Sequence, residues 1–264
     1  MKPKVKAPQH IEQTLSILNR YNLNSICYSS KCPNIDECFS RGVATFMILG
    51  NICTRNCKFC NVTSATPNPP NPNEPQNLAK ALKEMNLKYI VITSPDRDDL
   101  EDYGVNHYLK CIENLDIKIE LLTPDFNGEI QLLEKIATSK AYKLAHNIET
   151  TRNLHKHLKP KSDYFLSLDV LDFYSQFKLT KSSLIVGFGE SLNDIKNTLR
   201  DLLQVNTKQL TLSQYLQPSP KHYKVQKFYN EEEFLYLKNL ALDMGFKAVE
   251  SGTLIRSSYY ADKL

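Results

Sequence analysis

Short uninterrupted apolar runs alternate along the chain with longer segments in which apolar residues recur every three or four positions. Runs such as "GVATFMILG" (42–50) and "SSLIVGFG" (182–189) predict buried strands, whereas "LNDIKNTLRDLLQ" (192–204) predicts an amphipathic helix. The strands predicted between residues 42 and 217 are 42–50, 88–94, 117–125, 141–147, 182–189 and 208–217. A helix at 230–245 and a strand at 246–252 are predicted to follow them.

Strands that alternate with helices indicate a parallel sheet with right-handed crossovers. Six such units are too few for a closed eight-stranded barrel, so we predict an α/β fold, a partial (β/α)6 barrel of TIM type. Polar stretches follow three strands: "TSPDRDD" (93–99), "HNIET" (146–150) and "GFGES" (187–191). Taken alone, each is more typical of a helix cap or a glycine turn. Together they would share the edge of the sheet where such barrels place their active sites.

The amino-acid composition limits the class of protein and its expected partners. The chain has 264 residues, 41% of them hydrophobic and 23% charged, which is ordinary for one globular domain. It has neither an apolar run of the ~20 residues that a membrane span needs nor a start of signal-peptide type, so we predict no membrane partner. We expect a cytoplasmic location, with an organellar one left open. The formal net charge of +4 is too small to indicate nucleic acid. The basic stretch 219–227 is by default a solvated loop.

Six of the seven cysteines fall between residues 27 and 60. Cys27, Cys32 and Cys38 are separated by four and five residues, and a second triplet lies in "CTRNCKFC" (53–60). Only Cys111 stands apart, in a segment with helical spacing of apolar residues, and it is interpreted as a buried small hydrophobe. Disulfides are disfavoured in a reducing compartment, so the clustered cysteines indicate metal binding or catalysis.

The number and spacing of the cysteines favour an iron–sulfur cluster over a zinc site. A structural zinc site takes four ligands, usually in two close pairs, and neither triplet provides them; no histidine lies between residues 27 and 60. Thiolates are the usual ligands of iron–sulfur clusters, in which four irons normally take four cysteines. Three cysteines in one tight loop therefore suggest a cluster with one iron open to another ligand.

The C-x3-C-x2-C spacing of Cys53, Cys57 and Cys60 resembles the signature of the radical S-adenosylmethionine enzymes. The resemblance implies a 4Fe-4S cluster whose fourth iron is chelated by S-adenosylmethionine, and a 5'-deoxyadenosyl radical that removes hydrogen from an unactivated carbon. The cofactor carries such chemistry, because a saturated C–H bond has no acidity for a general base to use. Cofactor contacts are then expected, by position, at Thr93, Ser94, Asn147, Glu149, Gly187, Gly189, Glu190 and Arg256.

Longer motifs, in order, resemble lipoyl synthases. They are "CPNIDECFSRGVATFMILGNICTRNCKFCNV" (32–62), "VITSPDRDDLED", "KIELLTPDF", "HNIET", "TKSSLIVGFGE", "LTLSQYLQPS" and "GFKAVESGTLIRSSYYAD", and the likeness runs from about residue 24 to residue 262. The resemblance implies that Cys27, Cys32 and Cys38 bind an auxiliary 4Fe-4S cluster. It implies that the fourth ligand is a serine of the RSSY motif, which we assign to Ser258 in preference to Ser257.

The family resemblance also implies the reaction and its partners. An octanoyl chain on a lysine of a lipoyl carrier domain, of the 2-oxoacid dehydrogenase E2 or glycine cleavage H protein type, would receive sulfur at C6 and C8. The auxiliary cluster would supply the sulfur, and two S-adenosylmethionine molecules would be consumed. A low-potential donor of ferredoxin or flavodoxin type would supply electrons. Lys221, Lys224 and Lys227 are interpreted as docking an acidic carrier domain, because complementary charge speeds encounter.

Two other classes stay open at this stage. One is another sulfur-inserting radical enzyme, as biotin synthases are, which the first triplet and the terminal serines disfavour. The other is a non-enzymatic carrier of two clusters, which would be smaller and would ligate each cluster fully. We expect residues 1–41 to form an amino-terminal extension with the auxiliary cysteines, 42–229 the barrel core, and 230–264 a terminal helix, strand and tail. Both extensions would cover the auxiliary cluster.

Overall fold

The structure, a computed structural model, describes residues 9–29, residue 32 and residues 34–264. The first eight residues of the predicted amino-terminal extension, with residues 30, 31 and 33, lie outside the described part. The strands are β1 (Asn24–Ser25), β2 (Val43–Met47), β3 (Ile52–Cys53), β4 (Thr63–Ser64), β5 (Tyr89–Thr93), β6 (Lys118–Leu122), β7 (Lys143–Ala145), β8 (Thr180–Val186), β9 (Gln209–Gln214) and β10 (Ala248–Gly252).

The helices alternate with the strands of the sheet after β2. They are α1 (Gln9–Arg20), α2 (Ile26–Ser29), α3 (Ile35–Ser40), α4 (Glu74–Met85), α5 (Val105–Glu113), α6 (Ile130–Ala137), α7 (Arg152–Leu158), α8 (Tyr164–Ser175), α9 (Leu192–Gln204) and α10 (Glu231–Met244), with a 3₁₀ turn at Phe126–Gly128. Within the described ranges, no helix is both long and apolar enough to cross a membrane.

One curved sheet forms the centre of the molecule. Its strand order is β1-β2-β5-β6-β7-β8-β9-β10; β1 is antiparallel to β2, and every other pairing is parallel. Strands β3 and β4 form a separate parallel pair. The consecutive order follows from the short right-handed crossovers, each of which packs its helix on the outer face. The predicted partial (β/α)6 barrel is confirmed, and β10 extends it by a seventh parallel strand.

The predicted strands are all present, with shorter or shifted bounds. Strand β8 begins before its predicted start, at Thr180, although the sequence predicts residue 182. The cause is Lys181, which the pattern excludes from a buried strand but which is fully buried and paired with Glu120 inside the barrel. The strand ends before Gly187, whose φ of 112° lies in the region that favours glycine.

Alternate side chains of each strand face the helices or the barrel interior. In β2, Ala44 and Phe46 pack in the outer core, whereas Val43 and Thr45 face the interior. The outer core has two halves, one built on β2, β5 and β6 and the other on β8, β9 and β10. Helix α8 joins them because Val170 packs in the first half and Leu171 in the second. Cys111 is buried in the first half, as predicted.

At the amino ends of its strands, the barrel is closed by the last residues of the chain. Lys143 is fully buried and donates to the backbone oxygens of Ala261 (3.1 Å) and Leu264 (2.6 Å). Burial lowers the pKa of this lysine to about 8. Glu120 lies beside Lys143 and accepts a hydrogen bond from the Tyr89 hydroxyl at 3.1 Å. Substrates therefore have to approach from the opposite edge, where the strands end.

Candidate active site

The C-x3-C-x2-C loop starts from a sharp turn after β2. Leu49 and Gly50 have φ angles of 66° and 89°. The Leu49 peptide is held on both sides: its N–H donates to Glu74 (2.9 Å), and its carbonyl accepts from Arg97 (2.9 Å). The Glu74 carboxylate also lies 2.7 Å from Nε2 of His107. These buried contacts stabilise Leu49 in a left-handed backbone conformation, which a leucine adopts only at a cost in free energy.

Arg55 fastens the same loop to the ends of two neighbouring strands. Its guanidinium donates to Asp98, which follows β5, with a shortest distance of 2.8 Å, and to both oxygens of Asp125, which follows β6, at 2.6 and 2.8 Å. Arg55 and Asp125 are both buried. Burial alone would raise the pKa of Asp125, but the hydrogen bonds and charge of Arg55 outweigh it and lower that pKa to about 2.

The cysteines of this loop line a cavity of about 280 Å³ at the carboxyl ends of the strands. Burial raises the pKa of Cys53 and of Cys57 to about 12 and that of Cys60 to about 11. Such thiols keep their protons unless a cation replaces them. Three soft sulfur donors in one loop therefore fit an iron–sulfur cluster better than a hard cation, which prefers oxygen.

Polar groups without partners face the same cavity. Among the described residues, Nε2 of His146 and Oδ1 of Asn147 are buried and have no hydrogen-bond partner. Glu149 accepts from the Asn147 amide at 3.1 Å, and burial raises the pKa of its carboxyl. The ammonium-bearing side chain of Lys159 also lines the wall. Buried unpaired polar atoms are rare, so these groups fit a bound molecule that carries amino, hydroxyl or carboxylate groups.

The amino-terminal cysteines line a second, adjoining cavity of about 610 Å³. Cys27 lies on α2 and Cys38 on α3, and the Cys32 N–H donates to the Cys27 carbonyl at 2.9 Å. Burial raises the pKa of Cys27 and raises that of Cys38 to about 12. The residues that line both cavities are Ile26, Phe59, Cys60, Asn147, Glu149, Ser257 and Ser258. The cavities of the two cysteine triplets therefore adjoin each other.

The end of the chain brings its serines to this shared wall. Tyr259 and Tyr260 both donate to Glu37 of α3, at 2.7 and 2.8 Å, and Asp262 pairs with Arg41 at 2.6 Å. The tail is therefore attached beside Cys38. Arg256 lines the larger cavity and donates to the Ile255 carbonyl at 2.6 Å. Burial lowers the pKa of Arg256, although the negative charge of a Cys32 thiolate acts to raise it.

The glycine stretch after β8 is placed differently from the other predicted contacts. Glu190 accepts from the N–H groups of Gly187 (2.7 Å) and Phe188 (2.9 Å) and from the Tyr229 hydroxyl (3.0 Å). Its carboxylate closes its own turn, and Gly187, Gly189 and Glu190 line neither cavity. Thr93 and Ser94 line the smaller cavity, Arg256 the larger, and Asn147 and Glu149 both. All eight assignments to the cofactor stay predictions.

Several residues that shape the site were missed by the sequence analysis. Arg55 is the only cation between Cys53 and Cys57, and the acidic residues of "PDRDD" and "TPDF" follow β5 and β6, which are neighbours in the sheet. That opposition of charge could have indicated the ion pairs. His146 and Lys159 carry no comparable signal, because single basic residues are usually solvated or satisfied in the core.

Comparison with known proteins gives a consistent result. The family model of the Radical SAM superfamily matches residues 47–202. A lipoyl synthase of Hydrogenovibrio crunogenus is 44% identical, over 99% of this chain and 87% of its own length. A lipoyl synthase of Karelsulcia muelleri is 45% identical, over 99% of this chain and 95% of its own length.

Solved structures agree on the fold. Streptococcus suis SuiB bound to S-adenosylmethionine superposes with a TM-score of 0.65 at 13% identity; the alignment covers 96% of this chain but only 58% of SuiB. Methylornithine synthase (PylB) has a TM-score of 0.59 at 15% identity, covering 92% of this chain and 83% of that one. Membership of the superfamily implies a 4Fe-4S cluster and S-adenosylmethionine as cofactors. From the family match and the near full-length identity, the chain belongs to the lipoyl synthase family of radical S-adenosylmethionine enzymes.

Proposed function

We propose that the protein inserts two sulfur atoms, at C6 and C8, into an octanoyl chain carried on a lysine of a carrier domain. The auxiliary 4Fe-4S cluster would be the sulfur donor, and two S-adenosylmethionine molecules would be consumed per product. The observation that carries this proposal is the adjoining pair of cavities. The smaller is lined by Cys53, Cys57 and Cys60, the larger by Cys27, Cys32 and Cys38 together with Cys60, and Ser257 and Ser258 line both. A reaction that joins a carbon radical to a sulfur source needs both within reach of one substrate.

The radical side of the site would be built on the C-x3-C-x2-C loop. Cys53, Cys57 and Cys60 would hold one cluster. When bound, that cluster and S-adenosylmethionine supply a carbon radical able to remove hydrogen from an unactivated C–H bond. The unpartnered atoms of His146 and Asn147 would bind polar groups of the cofactor. The Lys159 ammonium would pair with a carboxylate there.

The remaining wall residues would exclude water and orient the chain to be modified. Met47, Phe59 and Leu122 present apolar surface to the smaller cavity, which suits a site that must protect a radical from solvent. The larger cavity has an exposed apolar border at Leu216 and Leu254, through which an acyl chain can enter. Cys27, Cys32, Cys38 and Ser258 would hold the auxiliary cluster. A serine oxygen is a less permanent iron ligand than a thiolate, which suits a cluster that is consumed.

The other expectations about the protein's setting stay predictions. They are an octanoylated E2 or H protein domain as substrate, a ferredoxin or flavodoxin as electron donor, a cytoplasmic location, and the division at residues 41 and 229.

The deciding experiment is anaerobic reconstitution with iron and sulfide, followed by dithionite, S-adenosylmethionine and an octanoyl-lysine peptide. We expect a gain of two sulfur atoms by mass spectrometry and two molecules of 5'-deoxyadenosine per product. Formation of 5'-deoxyadenosine without any gain in peptide mass would leave the radical chemistry but reject the substrate, as a biotin-synthase-like activity would. A protein that binds two clusters and forms no 5'-deoxyadenosine would be an electron carrier.

A further inference from the structure

The outer side of the C-x3-C-x2-C loop carries an exposed basic surface. Lys58, between Cys57 and Cys60, is exposed and lines neither cavity, whereas its neighbour Phe59 lines both. The loop thus turns its cysteines inward and Lys58 outward. We define the basic patch as the exposed lysines of this loop, of the α7 region and of the segment 219–228: Lys58, Lys156, Lys161, Lys221 and Lys224.

Direct contacts join the three segments into one surface. The Lys58 Nζ lies 3.3 Å from Nδ1 of His157 on α7, and the Lys58 carbonyl accepts from the Tyr223 N–H at 2.9 Å. The rings of His157 and Tyr223 meet edge to face, with centroids 5.6 Å apart. Lys161 donates to the Thr54 carbonyl at 2.9 Å. Lys221 and Lys224 flank His222 and Tyr223 in the chain and so lie beside the same loop.

The three segments that form the patch carry charge of one sign. The segments 57–61, 152–161 and 219–228 contain eight lysine or arginine residues and no aspartate or glutamate. Lys227 is engaged by Glu233 at 2.6 Å, and Lys159 faces the cavity, so neither belongs to the patch. Elsewhere the chain mixes both signs, and its net charge is only +4. A concentrated positive surface favours an acidic partner and speeds its encounter.

The patch lies against the backbone of the cluster loop. Nε2 of His222 is 3.1 Å from the Cys60 carbonyl oxygen, and the Lys58 peptide stands between two of the three cysteines. A partner seated here would lie against the turn that joins Cys57 to Cys60. An electron carrier has to come close to the cluster loop but does not have to enter the cavity. An acyl chain does have to enter the cavity, and the exposed apolar border at Leu216 and Leu254 gives it a place to do so.

We propose that the basic patch docks a small acidic one-electron carrier protein and that the electron enters at the outer side of the Cys57–Cys60 turn. This proposal rests on the proposed function, because it assumes a cluster at Cys53, Cys57 and Cys60. It reassigns Lys221 and Lys224, which the sequence analysis connects with the octanoylated carrier. It also removes Lys227 from the docking set.

The test separates docking from chemistry by a choice of reductant. The variant Lys156→Glu/Lys221→Glu/Lys224→Glu reverses three patch charges that touch neither cavity. Its control, Lys80→Glu/Lys110→Glu/Lys135→Glu, makes the same change of net charge at exposed lysines of α4, α5 and α6. Formation of 5'-deoxyadenosine is measured with dithionite, with reduced flavodoxin and with reduced ferredoxin. Binding of both oxidised carriers to the immobilised proteins is measured by interferometry.

We expect the patch variant to match wild type with dithionite. With at least one of the two carriers, its kcat/KM and its affinity should fall about tenfold at low ionic strength, and the difference should close as salt screens the charges. The control should resemble wild type throughout. Wild-type turnover with that carrier should fall with salt more steeply than turnover with dithionite, which supports the proposal without any variant.

Unchanged kcat/KM and affinity for both carriers would overturn the proposal. So would a rise, under dithionite, in the KM for an octanoylated H protein with unchanged electron-carrier binding, because the patch would then dock the substrate carrier. Failure of the proposed function would give a different result, because the wild-type protein would then form no 5'-deoxyadenosine with dithionite. The binding measurements would still decide whether the patch holds an electron carrier.

Discussion

The hydroxyl of Tyr259 donates to the carboxylate of Glu37 at 2.7 Å, joining the end of the chain to the helix that carries Cys38 across 222 positions of sequence. Tyr260 donates to the other oxygen of the same carboxylate. The two hydrogen bonds attach the tail to α3, and residues 257 and 258 line the same cavity as the amino-terminal cysteines. They make the tail a part of the larger cavity's wall, although a chain end is ordinarily poorly ordered.

Removing both hydroxyls should loosen the tail. In Tyr259→Phe/Tyr260→Phe we expect amide exchange across residues 253–264 to rise about tenfold, because each lost hydrogen bond contributes about 0.5–1.5 kcal/mol. Exchange is measured by mass spectrometry, with Tyr236→Phe, at an exposed position of α10, as control. Unchanged exchange in the tail would show that other contacts hold it.

Arg55 should be the most sensitive non-cysteine position of the cluster loop. Arg55→Ala leaves the buried Asp125 unpaired, so we expect the free energy of unfolding to fall by about 3–5 kcal/mol. Arg55→Lys should lose less, since it keeps the charge but not the two-pronged geometry. Urea unfolding measures both, and Arg200→Ala on the exposed face of α9 should change stability by less than about 0.5 kcal/mol. Equal stability of Arg55→Ala and Arg200→Ala would contradict the ion-pair account.

The buried imidazole of His155 should make the protein less stable in mild acid. Burial lowers its pKa from 6.5 to about 3, with a contribution from the charge of Lys159. The unfolded chain therefore takes up the proton first as the pH falls. The stabilisation is complete above pH 6.5 and is lost progressively toward pH 3, by on the order of 2–3 kcal/mol between pH 6.5 and 4.5.

The variant His155→Gln should flatten this slope, whereas His157→Gln, at an exposed position of the same helix, should preserve it. Urea unfolding of the metal-free protein at several pH values measures the slope. A slope that His155→Gln leaves unaltered would assign the acid sensitivity to other groups.

The two cysteine triplets should be separable by single substitutions. Cys57→Ala and Cys38→Ala should each reduce the iron content from about eight to about four per chain, because each cluster needs all three of its thiolates. Only Cys38→Ala should still form 5'-deoxyadenosine. Full iron content in either variant, or 5'-deoxyadenosine formation by Cys57→Ala, would contradict the assignment of one cluster to each triplet.

Ser258 and Ser257 give a matched comparison at neighbouring positions. Ser258→Ala should retain part of the S-adenosylmethionine cleavage but stop sulfur transfer, whereas Ser257→Ala should retain both. Ser258→Cys should keep the iron, because a thiolate is a stronger ligand than a serine oxygen. Peptide mass and iron content are the measurements. An unchanged yield of sulfur-containing product from Ser258→Ala would remove this residue from the site.

Local pattern was sufficient for much of the architecture. The strands, the helices between them and the buried position of Cys111 follow from periodicity, because an apolar face specifies burial wherever it occurs. The pattern failed at β8, where Lys181 is buried. A charge inside a sheet is acceptable only when a distant partner, here Glu120, is present, and no local window contains that partner.

The sequence by itself determined the chemistry: two triplets of cysteines, each one ligand short, in an α/β chain of repeated strand–helix units. Only the tertiary structure decided which groups meet. It joined Arg55 to Asp98 and Asp125, closed Glu190 onto its own turn, attached Tyr259 to Glu37 and gathered separate lysines around Lys58. The physical reason is range: periodicity and ligand type are properties of neighbouring residues, whereas ion pairs and cavity walls depend on which parts of a folded chain pack together.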